Sequence, residues 1–158
     1  MKLTSSVFTN GGKIPSTYTC DGANINPPLT IADVPANAKS LVLLMDDPDI
    51  PEIAKKNFKV EVWDHWVVFN IPPQLREIAQ ATNPLGTLGK NTRGNLTYGG
   101  PCPPPEYQPS EHRYFFTLYA LDTMLNLKEG ATKKEVERAM QGHILAQTEL
   151  MGKYERKK

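Results

Sequence analysis

The segment Asp46-Asp47-Pro48-Asp49-Ile50-Pro51 contains two carboxylates, Asp47 and Asp49, that could bind a ligand. Each proline holds the residue before it in an extended conformation, so both side chains should point to the same side of the chain. They follow directly on the apolar run 41–45. Carboxylates at the end of a buried strand are costly unless they are paired or solvated. Taken alone, the segment is more simply explained as an acidic turn in water.

Two histidines lie at the starts of other apolar runs. His65 begins the run 65–71, and His112 precedes the run 114–121, with Tyr114 on the same face of an extended strand. A single histidine at a strand end usually has a structural role. Here three separate strands carry Asp, His, or His and Tyr at one end, and this repetition predicts a shared polar pocket at one edge of the fold.

A glycine- and proline-rich loop precedes His112. In Gly99-Gly100-Pro101, glycines would let backbone N–H groups approach a ligand, and consecutive N–H groups can form an anion-binding nest. The prolines at 101, 103, 104 and 105 would stiffen the rim and keep the pocket open. Ordinary loop geometry explains the same residues, and the sequence leaves both interpretations open.

Short strands must position these side chains. The 14 prolines and 11 glycines fall at short intervals, which favours strands with tight turns over long helices. Continuous apolar and β-branched composition predicts buried strands in the three runs already named. Weaker strands are expected at 3–8 and 29–31.

Helical signal is confined to the end of the chain. Thr132 is a plausible N-cap with Glu135 as its capping-box partner, and the helix should stop near Gly142. Apolar residues on alternate positions over 144–154 then predict a closing strand, with a continued helix as the alternative. The predicted fold is all-β, an antiparallel β-sandwich with a short C-terminal helix.

Size and charge narrow the class of protein. The 158 residues fit a single domain over 1–158, and the net charge of +1 provides no field for nucleic acid or an acidic membrane. The N-terminus lacks the apolar run of a signal peptide, and no run approaches the ~20 apolar residues of a membrane span. We therefore expect a cytoplasmic protein without membrane insertion.

The two cysteines, Cys20 and Cys102, lie far apart and form no CxxC motif. Two cysteines in a cytosolic chain are more often free thiols than a disulfide, so free thiols are the expected state. Both lie in Gly/Pro-rich loops, and pairing is the alternative.

Three motifs resemble those of the phosphatidylethanolamine-binding proteins, also called Raf kinase inhibitor proteins. Asp47-Pro48-Asp49-Ile50-Pro51 looks like the family's Asp-Pro-Asp-x-Pro motif, and the segment 64–72 looks like its His-Trp-Val-x-x-Asn segment. The loop 99–104 followed by His112-Arg113-Tyr114 looks like its Gly-x-x-Pro-Pro loop and His-Arg-Tyr strand. Order and spacing agree across nearly the whole chain, and the bacterial and archaeal branch is the most similar.

The resemblance implies a Greek-key β-sandwich with one anion pocket. It also implies a possible homodimer and a possible protease or kinase partner. The sequence ends without the further C-terminal helix of mammalian members, which argues against their type of lipid binding and kinase regulation. Together, the residue patterns and the resemblance predict these ligand-binding residues: Asp47, Asp49, Pro51, His65, Gly100, Pro101, His112 and Tyr114.

Two aspartates beside an anion need an explanation. A carboxylate can favour the imidazolium form of a nearby histidine, which then donates to phosphate. Alternatively, the ligand is zwitterionic, as phosphoethanolamine is, and its amine meets Asp47 or Asp49. The second explanation is the one we favour from the sequence. We also expect His112→Ala to weaken phosphate-type ligands while the melting temperature stays near that of the parent.

The function predicted from the sequence is therefore a non-enzymatic binding protein with a small anion or phosphoryl pocket and no cofactor. Three alternatives stay open. A cryptic hydrolase would use His65 and His112 as general acid and base but lacks an identifiable nucleophile. A metal site would use two histidines and two aspartates. A serine-protease inhibitor would act through a surface loop, which nothing in the sequence identifies.

Overall fold

A computed structural model describes residues 1–157, which form eight strands, two α-helices and a single 3-10 turn at Ser16–Tyr18. None of the helices in this range is long and apolar enough to cross a membrane. In chain order the elements are β1 (Lys2–Thr4), β2 (Leu29–Ala32), β3 (Ser40–Asp47), α1 (Glu52–Phe58), β4 (Trp63–Ile71), β5 (Glu77–Ile78), β6 (Thr87–Leu88), β7 (Glu111–Leu121), α2 (Lys133–Met140) and β8 (Ile144–Glu155).

The strands form two antiparallel sheets. The larger has the order β6-β4-β3-β7-β8, and the smaller has the order β1-β2-β5. The mostly β, antiparallel architecture predicted from the sequence is confirmed. The three strongest predicted strands are the central strands of the large sheet, and the weak prediction at 3–8 overestimates β1, which ends at Thr4.

The main core lies between the two sheets. Leu3, Leu29 and Ile31 of the small sheet pack in one cluster with side chains such as Leu43 and Trp66 of the large sheet. Burying apolar surface in this way contributes roughly 25 cal/mol per Å². This core fixes one face of the large sheet, and the candidate site lies at the end of that face.

A second apolar cluster covers the opposite face of the large sheet. Val42, Leu44 and Phe69 pack there with Val136 and Met140 of α2. The strands β3 and β4 are therefore covered on both sides, which explains why their sequences are continuously apolar rather than alternating.

Helix α2 begins as the sequence predicts. The Thr132 hydroxyl accepts a hydrogen bond from the Glu135 N–H at 3.3 Å. The helix ends at Met140, close to the predicted stop. The strand β8 follows, and its pairing with β7 over most of its length confirms the predicted closing strand over the alternative helix.

The prediction that helices are confined to the end of the chain is wrong, because α1 occupies Glu52–Phe58. This helix buries none of its residues, so its sequence carries no apolar stripe that a periodicity argument could detect. It begins after Pro51 and ends at Lys59, whose positive φ of 56° stops the helix. It carries the side chains that cover the site from one side.

The expectation of free thiols is also wrong in this structure. Cys20 and Cys102 form a disulfide across a sequence separation of 82, with their Cα atoms 5.4 Å apart. The two loops are packed together, since the Cys20 N–H donates to the Pro101 carbonyl at 3.1 Å. The Tyr98 hydroxyl donates to the Tyr18 carbonyl at 2.7 Å. Sequence spacing alone gives no sign of this proximity.

Candidate functional site

The ends of three adjacent strands meet at one cavity. Asp47 is the last residue of β3, while His65 and His112 lie near the starts of β4 and β7. Because β3 lies between β4 and β7 and is antiparallel to both, these ends share one edge of the sheet. The cavity has a volume of about 270 Å³ and is lined by Asp47, Ile50, Pro51, Ala54, Phe58, Trp63, His65, Asn91, Arg93, Gly99, Gly100, Cys102, Pro103, Pro104, His112 and Tyr114.

A buried carboxylate–imidazole pair forms the floor. His112 Nδ1 lies 2.7 Å from Asp47 Oδ2, and the two side chains are 1% and 4% exposed. A carboxylate oxygen only accepts here, so Nδ1 donates the hydrogen and Nε2 is turned away from the pair. The other oxygen, Asp47 Oδ1, accepts from the Asp49 N–H at 2.7 Å. Asp47 therefore orients His112 and has both oxygens occupied.

Two polar atoms on the floor lack partners. Neither His112 Nε2 nor the Tyr114 hydroxyl has a hydrogen-bond partner among residues 1–157, although both atoms are buried. The two rings are stacked with centroids 6.4 Å apart. Buried polar atoms nearly always have partners, so an orphan pair in a cavity marks a place where a ligand or an ordered water is expected to bind.

His65 presents a fixed tautomer beside them. Its Nδ1 lies 2.6 Å from the Gly99 carbonyl, which can only accept, so Nδ1 carries the hydrogen. Burial lowers the pKa of His65, against the opposing effects of the Gly99 carbonyl and Asp47. The ring is therefore neutral near pH 7 and its Nε2 is an acceptor. It meets Tyr114 edge to face at 5.3 Å.

Asp49 does not line the cavity. Its two oxygens accept three hydrogen bonds from Arg113, from the backbone N–H and from the guanidinium, at 2.8 to 2.9 Å. These Arg113 hydrogen bonds hold the pKa of Asp49 below its ordinary value. The predicted contact between a ligand amine and Asp47 or Asp49 therefore has no free carboxylate to make it. Arg113 stands within the same His-Arg-Tyr motif, a signal that could have indicated this pairing.

The loop glycines do not form the predicted nest. The Gly99 N–H donates to the His65 carbonyl at 3.0 Å, and the Gly100 N–H donates to Asn24 Oδ1 at 2.9 Å. Neither group is free to bind an anion. Pro101 is buried but does not line the cavity, and its carbonyl accepts from the Cys20 N–H. Six of the eight predicted residues thus line the cavity, and Asp49 and Pro101 do not.

Only glycine fits at position 100, because neighbouring atoms occupy the space that a side chain would need. Substitutions there test how tightly the cavity wall is packed. A Cβ at Gly100 would clash with Asn24 and lie 2.6 Å from the Tyr18 carbonyl, whereas at Gly99 its nearest neighbour is 3.4 Å away. We expect Gly100→Ala to lower the free energy of unfolding by about 1–3 kcal/mol, as overpacking does. Gly99→Ala should stay within about 0.5 kcal/mol. Denaturant titration of both variants checks this, and equal effects would contradict the packing explanation.

Ten of the sixteen lining residues are not among the predicted ligand-binding residues, and four of these ten carry aromatic, amide or cationic side chains: Phe58, Trp63, Asn91 and Arg93. Phe58 of α1 meets Trp63 edge to face at 4.7 Å, and Arg93 lies over the Trp63 ring at 5.5 Å. Asn91 is buried, and its side-chain oxygen accepts from the Asn95 N–H at 3.0 Å. Phe58, Asn91 and Arg93 lie outside the strands, so the strand-end pattern gives no signal for them. Trp63 begins β4, but it precedes the apolar run 65–71 from which the strand is predicted.

A partly buried ion cluster packs behind the same strand ends. Asp46 and Asp64 face each other across β3 and β4, and the Lys133 ammonium lies 2.8 Å from one and 3.1 Å from the other. Burial opposes the charge on Lys133, but the two carboxylates raise its pKa to about 12. Burial raises the pKa of Asp64 despite Lys133. Since Asp47 and His65 are the next residues along each strand, α2 helps to fix their positions.

The metal alternative needs several ligands in one place. Over residues 1–157, no group of three or more His, Cys, Asp and Glu side chains is placed to hold a metal ion. Asp49 is turned toward Arg113, and the Nδ1 atoms of His65 and His112 are committed to Gly99 and Asp47.

This fold is shared with solved proteins. A homolog of the phosphatidylethanolamine-binding proteins from Chlamydia trachomatis, CT736, superposes with a TM-score of 0.90 at 44% identity, covering 98% of this chain and 97% of its own. E. coli YbcL, described as a member of the mammalian PEBP family, superposes with a TM-score of 0.85 at 27% identity, covering 99% and 98%. Among sequence relatives, a UPF0098 protein of Methanothermobacter thermautotrophicus is 48% identical over 99% of both chains.

The phosphatidylethanolamine-binding protein family model matches residues 4–155. The chain belongs to this family, with relatives in both bacteria and archaea.

Proposed function

We propose that this protein is a non-enzymatic binding protein whose cavity takes a small oxyanion, a phosphoryl group in the first place. The observation that carries the proposal is the pair of buried, unpartnered atoms, His112 Nε2 and the Tyr114 hydroxyl. Leaving such atoms unpaired costs about 1–3 kcal/mol each. An oxygen-rich ligand would recover that free energy by accepting from the hydroxyl, and from Nε2 when the imidazole is protonated.

The surroundings favour a ligand without an amine. Both oxygens of Asp47 are already bonded, and both oxygens of Asp49 belong to Arg113. A phosphoethanolamine-like ligand would therefore gain binding free energy from its phosphoryl group, and its amine would add none. We expect O-phosphoethanolamine to bind no better than methyl phosphate.

The hydrolase alternative has one observation in its favour. The Asp47–His112 pair has the arrangement of a general base and the group that orients it. The lining contains no serine, threonine or lysine, and Cys102 is in a disulfide, so water or a lining histidine would have to act as nucleophile. Release of inorganic phosphate from a phosphomonoester, saturating with its concentration, would favour catalysis over binding.

Two further proposals come from the family resemblance. Regulation of a partner protein and inhibition of a serine protease would both use surface loops rather than the cavity. A chymotrypsin inhibition assay decides between an inhibitor and a protein that acts through its ligand alone.

Tyr114→Phe provides the sharpest test of oxyanion binding. The hydroxyl has no partner among the described residues, so its removal should leave the free energy of unfolding unchanged or raise it by about 1 kcal/mol. The same change should weaken binding of inorganic phosphate and methyl phosphate roughly tenfold, because one donor is lost. Calorimetry and thermal melting against phosphate, methyl phosphate, O-phosphoethanolamine and acetate measure both effects.

Tyr119→Phe is the matched control, because Tyr119 lies on the same strand but packs in the cluster on the opposite face. It should not change affinity. If no oxyanion raises the melting temperature of the parent, or if Tyr114→Phe binds as the parent does, the proposed site is wrong.

A further inference from the structure

The floor of the cavity offers an oxyanion few hydrogen-bond donors. His112 Nδ1 donates to Asp47 and His65 Nδ1 donates to the Gly99 carbonyl, so in each neutral ring Nε2 carries a lone pair rather than a hydrogen. The N–H groups of the two adjoining loop glycines are bonded elsewhere. Of these groups, only the Tyr114 hydroxyl keeps a hydrogen that is free to donate.

His112 is neutral in the free protein for a structural reason. Protonation at Nε2 would place a positively charged N–H on a buried atom that has no acceptor within residues 1–157. A buried, charged donor without a partner is costly. The His112 side chain is only 1% exposed, so bulk water does not provide the missing acceptor. The free protein therefore presents a lone pair at this position.

An oxyanion meets two unfavourable features in this arrangement. Its oxygens only accept hydrogen bonds, and they would face the lone pair of His112 Nε2. The charges near the ring are also unfavourable, because Arg93 offsets only the ionised Asp47, and the ion cluster around Lys133 adds a net charge of −1. Like charges repel strongly where dielectric screening is reduced. One proton on Nε2 would remove the lone pair and offset the negative charge.

Charged and titratable groups face His112 from several elements. They are Asp47 and Asp49 at the end of β3 and just beyond it, His65 of β4, Tyr114 of the same strand, Tyr154 at the paired position of β8, and Arg93 at the cavity lining. Asp49 and Tyr154 already pair with an arginine and an aspartate. Burial lowers the pKa of His65 and raises that of Tyr114, so both are uncharged near neutral pH. Asp47 is therefore the carboxylate that can compensate an imidazolium by direct contact.

We propose that the cavity binds its oxyanion together with one proton: His112 becomes an imidazolium, its Nε2–H donates to the ligand, and Asp47 compensates the new positive charge. This inference rests on the proposed oxyanion function. The Nδ1–H stays bonded to Asp47 throughout. The added proton comes from water or from an acidic group of the ligand, such as the P–OH of a phosphomonoester monoanion. With a singly charged ligand, the complex then carries the same total charge as the free protein.

Nitrogen-15 NMR of the imidazole rings tests the protonation directly, because the chain has only three histidines. The probe is dimethyl phosphate, since a phosphodiester keeps one negative charge at neutral and alkaline pH. At about pH 8, saturating probe should convert His112 from the signals of a neutral imidazole to those of an imidazolium. His65 and His143 should keep their protonation states. His143 is the matched control, because its Nδ1 also lies 2.7 Å from a carboxylate but outside the cavity. A ligand-bound His112 that stays neutral overturns the inference.

Linkage gives the sign and the size of the pH effect. The complex holds one more proton than the separate protein and ligand, so binding should weaken as the pH rises. The affinity for dimethyl phosphate should fall roughly tenfold for each pH unit on the alkaline side of neutrality, the slope that one proton produces. Calorimetry in buffers of different ionisation enthalpy should show the uptake of about one proton per ligand. A constant affinity with no proton uptake contradicts the proposal.

Two variants separate the proton acceptor from the neighbouring donor. Tyr114→Phe removes a donor, so it should weaken dimethyl phosphate roughly tenfold at every pH while the uptake of one proton remains. Asp47→Asn replaces the compensating carboxylate with a neutral amide, so its proton uptake should fall well below that of the parent and its pH dependence should flatten. Unchanged uptake in Asp47→Asn contradicts the role of Asp47. Thermal melts check that both variants fold, and the NMR of the parent decides the question if Asp47→Asn does not.

The outcomes distinguish this inference from the proposed function. If dimethyl phosphate binds and Tyr114→Phe weakens it, but no proton is taken up, the oxyanion site stands and the proton coupling is wrong. If His65 rather than His112 becomes protonated, the oxyanion site again stands and the inference is overturned. If dimethyl phosphate and inorganic phosphate both fail to bind the parent, the proposed function fails, and the inference fails with it.

Discussion

His112→Ala should lower the free energy of unfolding by about 3–5 kcal/mol, because it leaves the Asp47 carboxylate buried without its histidine partner. Asp47 would keep only the Asp49 N–H as a hydrogen-bond donor while its carboxylate stayed 4% exposed. For a chain of this size the melting temperature should fall by about 6–20 °C. This replaces the sequence-based expectation of a nearly unchanged melting temperature, because the structure buries the pair. Denaturant titration and thermal melting measure the loss.

His143→Ala is the matched control within the same chain. His143 Nδ1 lies 2.7 Å from Asp122 Oδ1, the same distance as in the buried pair, but the two side chains are 45% and 47% exposed. Exposed pairs contribute at most about 1 kcal/mol, so this change should be small. Adding Asp47→Asn to His112→Ala should recover part of the loss, because the uncompensated charge is removed. Equal effects of the two alanine changes would contradict the burial argument.

Reducing the disulfide should lower the free energy of unfolding by about 4.5 kcal/mol, because the cross-link restricts a long loop of the unfolded chain. That figure follows from the separation of 82 residues between Cys20 and Cys102. The loss should also loosen the cavity wall, since Cys102 lines the cavity and Cys20 binds the Pro101 carbonyl. Denaturant titration with and without a dithiol reductant measures the difference.

The double variant Cys20→Ser, Cys102→Ser should be insensitive to the reductant, which controls for effects on other residues. Alkylation of the unfolded parent should add mass only after reduction. Alkylation without reductant would show free thiols and overturn the pairing. The cytosol usually keeps cysteine thiols reduced, although intracellular proteins of hyperthermophiles often contain disulfides. The cytoplasmic location stays a prediction, and the redox state of these cysteines in cells bears directly on it.

Strong hydrophobic pattern made much of the fold predictable. The continuous apolar run 41–45 corresponds to β3, which is buried on both faces. The alternation over 144–154 corresponds to β8, whose positions differ in exposure along the strand. Thr132 caps α2 by a local hydrogen bond to Glu135, which depends on residues only three apart. Sequence patterns predict an element correctly when the interactions that stabilise it lie between residues close together in the chain.

Non-local contacts account for the errors. Helix α1 lies on the surface with no buried residue, so its sequence lacks a periodic apolar face. The Gly100 N–H was expected to face a ligand, but Asn24, 76 residues earlier, accepts its hydrogen bond. Their spacing puts Asp47 and Asp49 on one side of an extended stretch and predicts both in the pocket, yet Asp49 pairs with Arg113 outside it. For Gly100 and Asp49 the competing partner lies on another segment of the chain.

The candidate site likewise contains residues that the sequence pattern predicts and residues whose positions depend on contacts distant in the chain. Asp47, His65, His112 and Tyr114 meet because each stands at the end of a strand whose burial the sequence predicts. Their role in binding stays a prediction, because strand pairing explains their proximity without a ligand. Arg93 comes from an irregular loop whose course depends on the buried Asn91 amide. No pattern of residue types reveals that course.

The hydrogen bond between Asp47 and His112 joins residues 65 positions apart, and it closes only when β7 has paired with β3. Contacts of such long range form late in folding, because the entropy of closing the loop opposes them until other contacts exist. A ligand held by His112 and Tyr114 would therefore find no site in a partly folded chain. It would slow the unfolding rate and leave the folding rate nearly unchanged. Saturating ligand would then prolong the life of folded molecules without helping new ones to form.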